Sequence, residues 1–167
     1  RDRALVVDPE ARTVFDVTLA TGARQVFSAA AVGDGPAWLR PVAVTLHLTG
    51  VPLVVDSSLD TLVEVGAVSG DRRLLSGFTQ GTGTQLARPS AMASGLPSPD
   101  RFVVTDPAAV FGIVIANGGR ALISGGGLGS GAPFIELSDV GVSQAIPPPC
   151  LGALGAGLPG VWSMTRL

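Results

Sequence analysis

The sequence predicts an all-β chain assembled from repeated four-stranded antiparallel units, and three observations point there. A set of residues recurs at an offset of 48. Each repeat holds four short segments rich in Val and Leu. The chain also carries 23 Gly and 13 Pro along its 167 residues, which favours many turns over long helices.

The repeat is read by laying Leu5-Val6-Val7-Asp8 over Leu53-Val54-Val55-Asp56. The match runs without a gap through Gly22/Gly70, Arg24/Arg72 and Ser28/Ser76, then Gly33-Asp34-Gly35 over Gly81-Thr82-Gly83, and Pro41 over Pro89. A third copy continues at the same offset with Gly118, Arg120, Ser124 and Gly129-Ser130-Gly131. Its apolar run Phe102-Val103-Val104-Thr105-Asp106 is read as shifted by one residue. The register decays after Val140, and Val161-Trp162-Ser163-Met164 is the strand-like piece of the tail.

In the second copy the four segments are Val42–Leu46, Pro52–Asp56, Leu62–Ala67 and Arg72–Ser76. Each has strand length and is bounded by Gly, Pro, Ser or Asp. Gly22, Gly70 and Gly118 fall between the third and fourth segments, where a tight turn needs positive φ. A β-branched residue there, as in Gly70→Val, is expected to cost about 1–3 kcal/mol. Four antiparallel strands per period of about 40–50 residues is the signature of a β-propeller blade. The expected architecture is therefore an incomplete or open ring in a single fragment over 1–167. Blade 1 is partial at 4–28, blade 2 covers 41–76, blade 3 covers 89–125, and a degenerate blade 4 covers 138–167.

The stretches from Leu53 to Val65 and from Ser69 to Ser76 resemble NHL/TolB-type six-bladed propeller repeats, with their L-V-V-D-S, L-V-x-V and G-x-R elements. The resemblance covers roughly residues 4–142. Blade 3 departs from the pattern where Ala108-Ala109-Val110 replaces a polar turn, and so does the tail. Such a resemblance speaks for architecture, because the superfold hosts many functions. It implies a bacterial protein of the periplasm or the extracellular space. It also implies an alternative function, a lactonase or gluconolactonase with a central divalent cation held by acid and amide ligands. Against that alternative, the one Asn of the chain, Asn117, falls at a turn away from the mouth.

Composition narrows the classes further. Hydrophobic residues make up 46 % and charged residues 14 %, which excludes a disordered chain. All 11 basic residues are Arg, the net charge is −2 and aromatics are 5 %, so a nucleic-acid surface is not expected. Cys150 is the only cysteine, so no internal disulfide and no cysteine metal cluster can form, and it is read as a packing residue. The chain opens on Arg1 rather than Met and is expected to be a processed or truncated piece. Val140 to Thr165 lacks charge, but Pro147-Pro148-Pro149 and several Gly break the helix that a membrane span would need.

Charges are expected to separate between the two ends of the blades. Asp8, Glu10, Arg12, Asp34, Asp56, Asp60 and Asp106 fall in loops of one end, and Arg3, Arg24, Asp71, Arg72, Arg73, Asp100, Arg101 and Arg120 in loops of the other. Two readings of the Asp that closes each second strand stand side by side. Its carboxylate accepts backbone N–H bonds in the following turn. Alternatively Asp8, Asp34, Asp56, Asp60 and Asp106 line a ligand site at the ring mouth, for which calcium is the cofactor to consider, hard cations wanting several converging oxygens. Otherwise no cofactor and no metal ligand are expected. Arg24, Arg72 and Arg120 open the outermost strand and are read as solvated charges that discourage edge pairing, with an anion or acidic-partner surface as the alternative.

No catalytic residue is assigned. His47 is the only histidine and lies away from most acids, and no Gly-x-Ser-x-Gly elbow is present. Gly125 to Gly131 lacks the Lys-Ser/Thr end of a phosphate loop. The function expected is a non-catalytic module that binds a protein or ligand, or a scaffold. The structural alternative is a fragment that self-associates through exposed blade edges. About 3.5 repeats fit in the chain, so the end blades are expected to bare Leu5, Val7, Val161 and Trp162, unless the tail from Pro147 to Leu167 folds over the last blade.

Overall fold

A computed structural model describes residues 2–94 and 101–142, and the backbone of a short strand at 161–162. Cys150, Asp100, Ser163, Met164 and the remainder of the Pro147–Leu167 tail lie outside the described residues, as do the side chains of Arg101, Val161 and Trp162. Every regular element described is a strand. No helix among the described residues is long and apolar enough to cross a membrane.

The first sheet contains β1 (Arg3–Asp8), β2 (Thr13–Thr18) and β3 (Arg24–Ser28), in that order. The second runs β4 (Pro41–Leu46), β5 (Pro52–Asp56), β6 (Thr61–Val65) and β7 (Arg72–Ser76). The third runs β8 (Ala91–Ala93), β9 (Arg101–Asp106), β10 (Ala109–Val114) and β11 (Arg120–Gly125). A two-stranded piece pairs β12 (Gly141–Val142) with β13 (Val161–Trp162). All pairings are antiparallel. The three larger sheets are propeller blades, the first lacking the innermost strand, and the ring is not closed.

Blades 2 and 3 bury both faces of their central strands, so β5 is apolar at successive positions rather than alternating. Val54, Val63 and Val65 pack with Val14 and Trp38 of the first blade. Leu53, Val55, Leu62 and Leu75 pack on Phe102, Val104, Phe111 and Ile113 of the third. Full burial of such a side chain contributes roughly 1.5–3 kcal/mol. Leu5 and Val7, expected from the sequence to be bare, instead join the cluster toward blade 2. The alternation of β1 turns Val6 outward instead, 45 % exposed.

The third copy is shifted by two residues in its second strand, not one. Asp56 pairs with Thr61, whereas Asp106 pairs with Ala109, so the turn between these strands is shorter in blade 3.

A register shift recurs at Val14/Phe15, Leu62/Val63 and Val110/Phe111, the same position in each repeat. A bulge there strengthens the twist of the outer strand, on top of roughly 20–25° per neighbouring strand. The outermost strand thus turns along the perimeter, and the turn before it meets the loop leaving the preceding blade. This overturns the expected separation of charges between two ends. The Asp34 amide donates to the Asp71 carboxylate at 2.8 Å, although the two belong to opposite loop sets. That bond, with one from Ser69, holds the Asp71 carboxyl below its ordinary value.

The same geometry overturns the reading of Arg72 and Arg120 as solvated edge charges. Both are buried. Arg72 donates from Nε to Pro36 O, from Nη1 to Ser28 Oγ, Ala29 O and Val32 O, and from Nη2 to Gly33 O, all within 2.7–3.0 Å. Arg120 repeats the set on Thr84 O, Ser76 Oγ, Gly77 O, Gln80 O and Gly83 O of blade 2. Burial lowers the Arg120 value. Ser28 Oγ also accepts from Trp38 Nε1 and itself donates to Gly70 O, so one hydroxyl joins three elements. Arg24 is exposed, as expected.

Candidate functional site

The five aspartates do not converge. Four of them accept backbone amides of their own turn or of the loop that enters the same or the next blade. Asp8 accepts from the Glu10 and Ala11 amides in the turn after β1. Asp56, fully buried, accepts from the Ser58 and Leu59 amides of its turn and from the Leu39 and Arg40 amides of the incoming loop, at 2.8–3.1 Å. Asp106 accepts from the Ala87 amide and Asp60 from the Arg88 amide. Asp34 is exposed at the perimeter beside Asp71. Among the described residues no three His, Cys, Asp or Glu side chains come together as a metal group.

Asp56→Ala is expected to lower stability by about 2–3 kcal/mol, since four amides lose a charged acceptor. The measurement is urea denaturation in chelator. An unchanged midpoint there, together with a calcium-dependent gain present only in the wild type, would assign Asp56 to a ligand instead.

These carboxylates set the backbone from which two other residues project. Arg40 and Arg88, at the repeat offset, end the loops leading into the innermost strands and precede Pro41 and Pro89. Pro at a strand start gives up no ladder bond that the strand needs. Between them opens a cavity of about 540 Å³ lined by Arg40, Arg88, Glu136, Ser57, Ser90 and the apolar Val42, Pro107, Ile135 and Leu137. Ser90 Oγ donates to Leu137 O at 2.6 Å and closes one wall.

The electrostatics are those of a cationic rim. Both arginines are exposed. The ion pairs among the described residues are Arg3–Asp16 and Arg73–Glu64, so neither guanidinium of the rim is taken up by a carboxylate. Glu136 occupies the third position of the row and reverses its sign. Beneath the rim, desolvation raises the Asp106 carboxyl above its ordinary value, with the Ala87 amide opposing, Asp60 adding to the rise and Arg88 opposing it. Ile135, 93 % exposed, stands beside the cavity.

Sequence reading passed over Arg40 and Arg88, yet the signal was available. They are 48 apart and abut the repeated prolines. His47 lies at the other end of the blade, after β4, with Nδ1 2.7 Å from Thr49 Oγ1 and its ring 5.9 Å from Phe102. Planar guanidinium forks with open donors recognise carboxylates or other oxyanions in bidentate fashion.

No protein-family model matches the chain, and no curated protein matches it. Solved structures do. The chain is similar to a structural genomics protein of unknown function from Bacteroides thetaiotaomicron, at TM-score 0.61 and 15 % identity, over 83 % of this chain and 39 % of that one. It is equally similar to a chain of the nidogen/laminin complex, at TM-score 0.61 and 16 % identity, over 83 % of this chain and 48 % of that one. The chain therefore spans less than half the length of either. At these identities the likeness establishes the propeller-like fold.

Proposed function

We propose that this chain is a non-catalytic β-propeller module that binds a protein partner, and that the rim of Arg40 and Arg88 receives an acidic segment of it. The observation that carries this reading is the pair of exposed, carboxylate-free guanidinium groups at equivalent positions over one cavity. The apolar wall of Val42, Pro107, Ile135 and Leu137 would cover the stem of a bound side chain. A structural neighbour known from a complex of two proteins supports a protein as the partner.

The test is fluorescence anisotropy with labelled Asp/Glu-rich peptides against matched Lys-rich ones. Wild type is expected to bind the acidic peptides, more weakly as salt rises. Arg40→Gln/Arg88→Gln is expected to weaken binding at least tenfold without changing the melting temperature, since both side chains are exposed. Equal binding by the double variant, or no preference between the peptides, would refute the reading.

A further inference from the structure

The rim repeats at the 48-residue offset as Arg40, Arg88 and Glu136, so its charge runs positive, positive, negative along the cavity. Backbone bonds hold all three positions. The Arg40 amide donates to both carboxylate oxygens of Asp56, at 3.0 and 3.1 Å. The Arg88 amide donates to Asp60 Oδ1 at 2.6 Å. Arg88 keeps that place at φ +57, a left-handed conformation that L residues rarely adopt and that recurs at ligand clamps. Next to Glu136, the Leu137 amide donates to Pro107 O at 3.1 Å, and Leu137 O accepts from Ser90 Oγ at 2.6 Å.

The three side chains are exposed, in contrast to their anchored backbones. The ion pairs among the described residues are Arg3–Asp16 and Arg73–Glu64, and neither involves this row. Asp60 and Asp106 nearby accept the amides of Arg88 and Ala87. Among the described residues that line the cavity, Glu136 is the one acid. Its neighbour Ile135 is 93 % exposed. Long basic side chains lay their methylene stems along apolar surface and keep the charged head in water. Ile135 and Glu136 together offer both requirements, a stem surface and a carboxylate for the head.

We infer that the segment bound at this rim carries a basic residue beside its acidic ones, and that Glu136 receives it; this rests on the acidic-partner reading of Arg40 and Arg88. The grounds are the order of charge along one row and the apolar residue beside its acidic end. A uniformly acidic segment would satisfy both arginines and then set a like charge against Glu136. Attraction for the mixed segment and repulsion of the acidic one act together, which is how charge patterns discriminate between partners. The anchored backbone keeps the ordering cost of the row low. Glu136 is thus the specificity-determining residue of the site.

The test is fluorescence anisotropy with three labelled peptides of equal length and spacing. One carries two Glu followed by Lys, the second two Glu followed by Gln, and the third three Glu. Wild type is expected to bind the Lys peptide about fivefold tighter than the three-Glu peptide, with the Gln peptide between, as suits one exposed contact changed from repulsive to attractive. Glu136→Gln is expected to abolish that preference and Glu136→Arg to reverse it, both with unchanged melting temperatures. Glu10→Arg makes the same change in net charge at an exposed position in the turn after β1 and is expected to keep the preference. A wild type that binds the three-Glu peptide as tightly as the Lys peptide, while Arg40→Gln/Arg88→Gln weakens both, overturns this inference and leaves the acidic-partner reading standing. A preference that survives in Glu136→Arg, or that Glu10→Arg also reverses, overturns it as well. A wild type that binds none of the three overturns both readings.

Discussion

Replacing Arg72 by alanine is expected to lower the free energy of unfolding by about 3–5 kcal/mol, a large share of a domain's stability. The side chain is buried between two blades and satisfies Ser28 Oγ and the carbonyls of Ala29, Val32, Gly33 and Pro36. Alanine would take a donor from each of those oxygens: Ser28 Oγ would keep Trp38 Nε1, and Ala29 O and Val32 O would keep the amides of their turn, while Gly33 O and Pro36 O would lose the guanidinium bonds. It would also remove the guanidinium from the Trp38 ring, 5.9 Å away. Arg72→Lys should recover less than half, since one ammonium cannot reach acceptors spread around a planar fork. Urea denaturation with an unchanged slope reads the difference. Arg24→Ala is the internal control and should shift stability by no more than about 0.5 kcal/mol in the single chain. Equal effects of the two would return Arg72 to the solvated role that its sequence position suggests.

Gly118→Ala is expected to destabilise by a similar amount, about 3–5 kcal/mol, and Gly22→Ala by about 1–2 kcal/mol. Both positions have nearly the same backbone, φ +68 and +69, so the left-handed conformation costs alanine the same at each. The excess comes from the neighbour. At Gly118 a Cβ would sit 1.9 Å from Leu75 O and 3.4 Å from Ser76 Cα, which are backbone atoms of the preceding blade and cannot swing aside. At Gly22 it meets nothing. Thermal melts of the two variants, side by side, separate strain within a turn from contact between blades. Identical shifts would mean that blade 3 is not seated on blade 2 as described.

The same pair shows how much was legible beforehand. Positive φ at Gly22, Gly70 and Gly118 follows from a turn position flanked by strands, and φ values of 69, 74 and 68 agree with it. A local rule suffices for that. The close approach at Gly70 and Gly118, absent at Gly22, depends on what another blade places there, and no window of the sequence holds that information. The arginines failed for the same reason. A charged residue opening an outer strand reads as solvated, and only the bulge recurring at Val14, Leu62 and Val110, with its added twist, brings the strand against its neighbour's loop.

The candidate site was legible in part. Asp8 and Asp56 accept the backbone amides of the turn that follows them, as the sequence suggests, whereas the bond Asp106 accepts comes from Ala87 of the incoming loop. The additional bonds from the Leu39 and Arg40 amides to Asp56 are long-range and required the fold. Arg40 and Arg88 were visible as a repeat but drew no attention, because their meaning lies in the cavity they share.

The strands of the first three units, their number in each, the turn glycines and the all-β class were legible in the sequence. Those depend on hydrophobic segments a few residues long and on the φ allowed at a turn, both local properties. Tertiary structure alone decided which charges are buried, which face of β1 is bare, and where two loops separated in sequence form one rim. Those depend on the relative placement of blades, set by twist and by packing across interfaces, where a guanidinium or a carboxylate takes its role from atoms some 40 residues away.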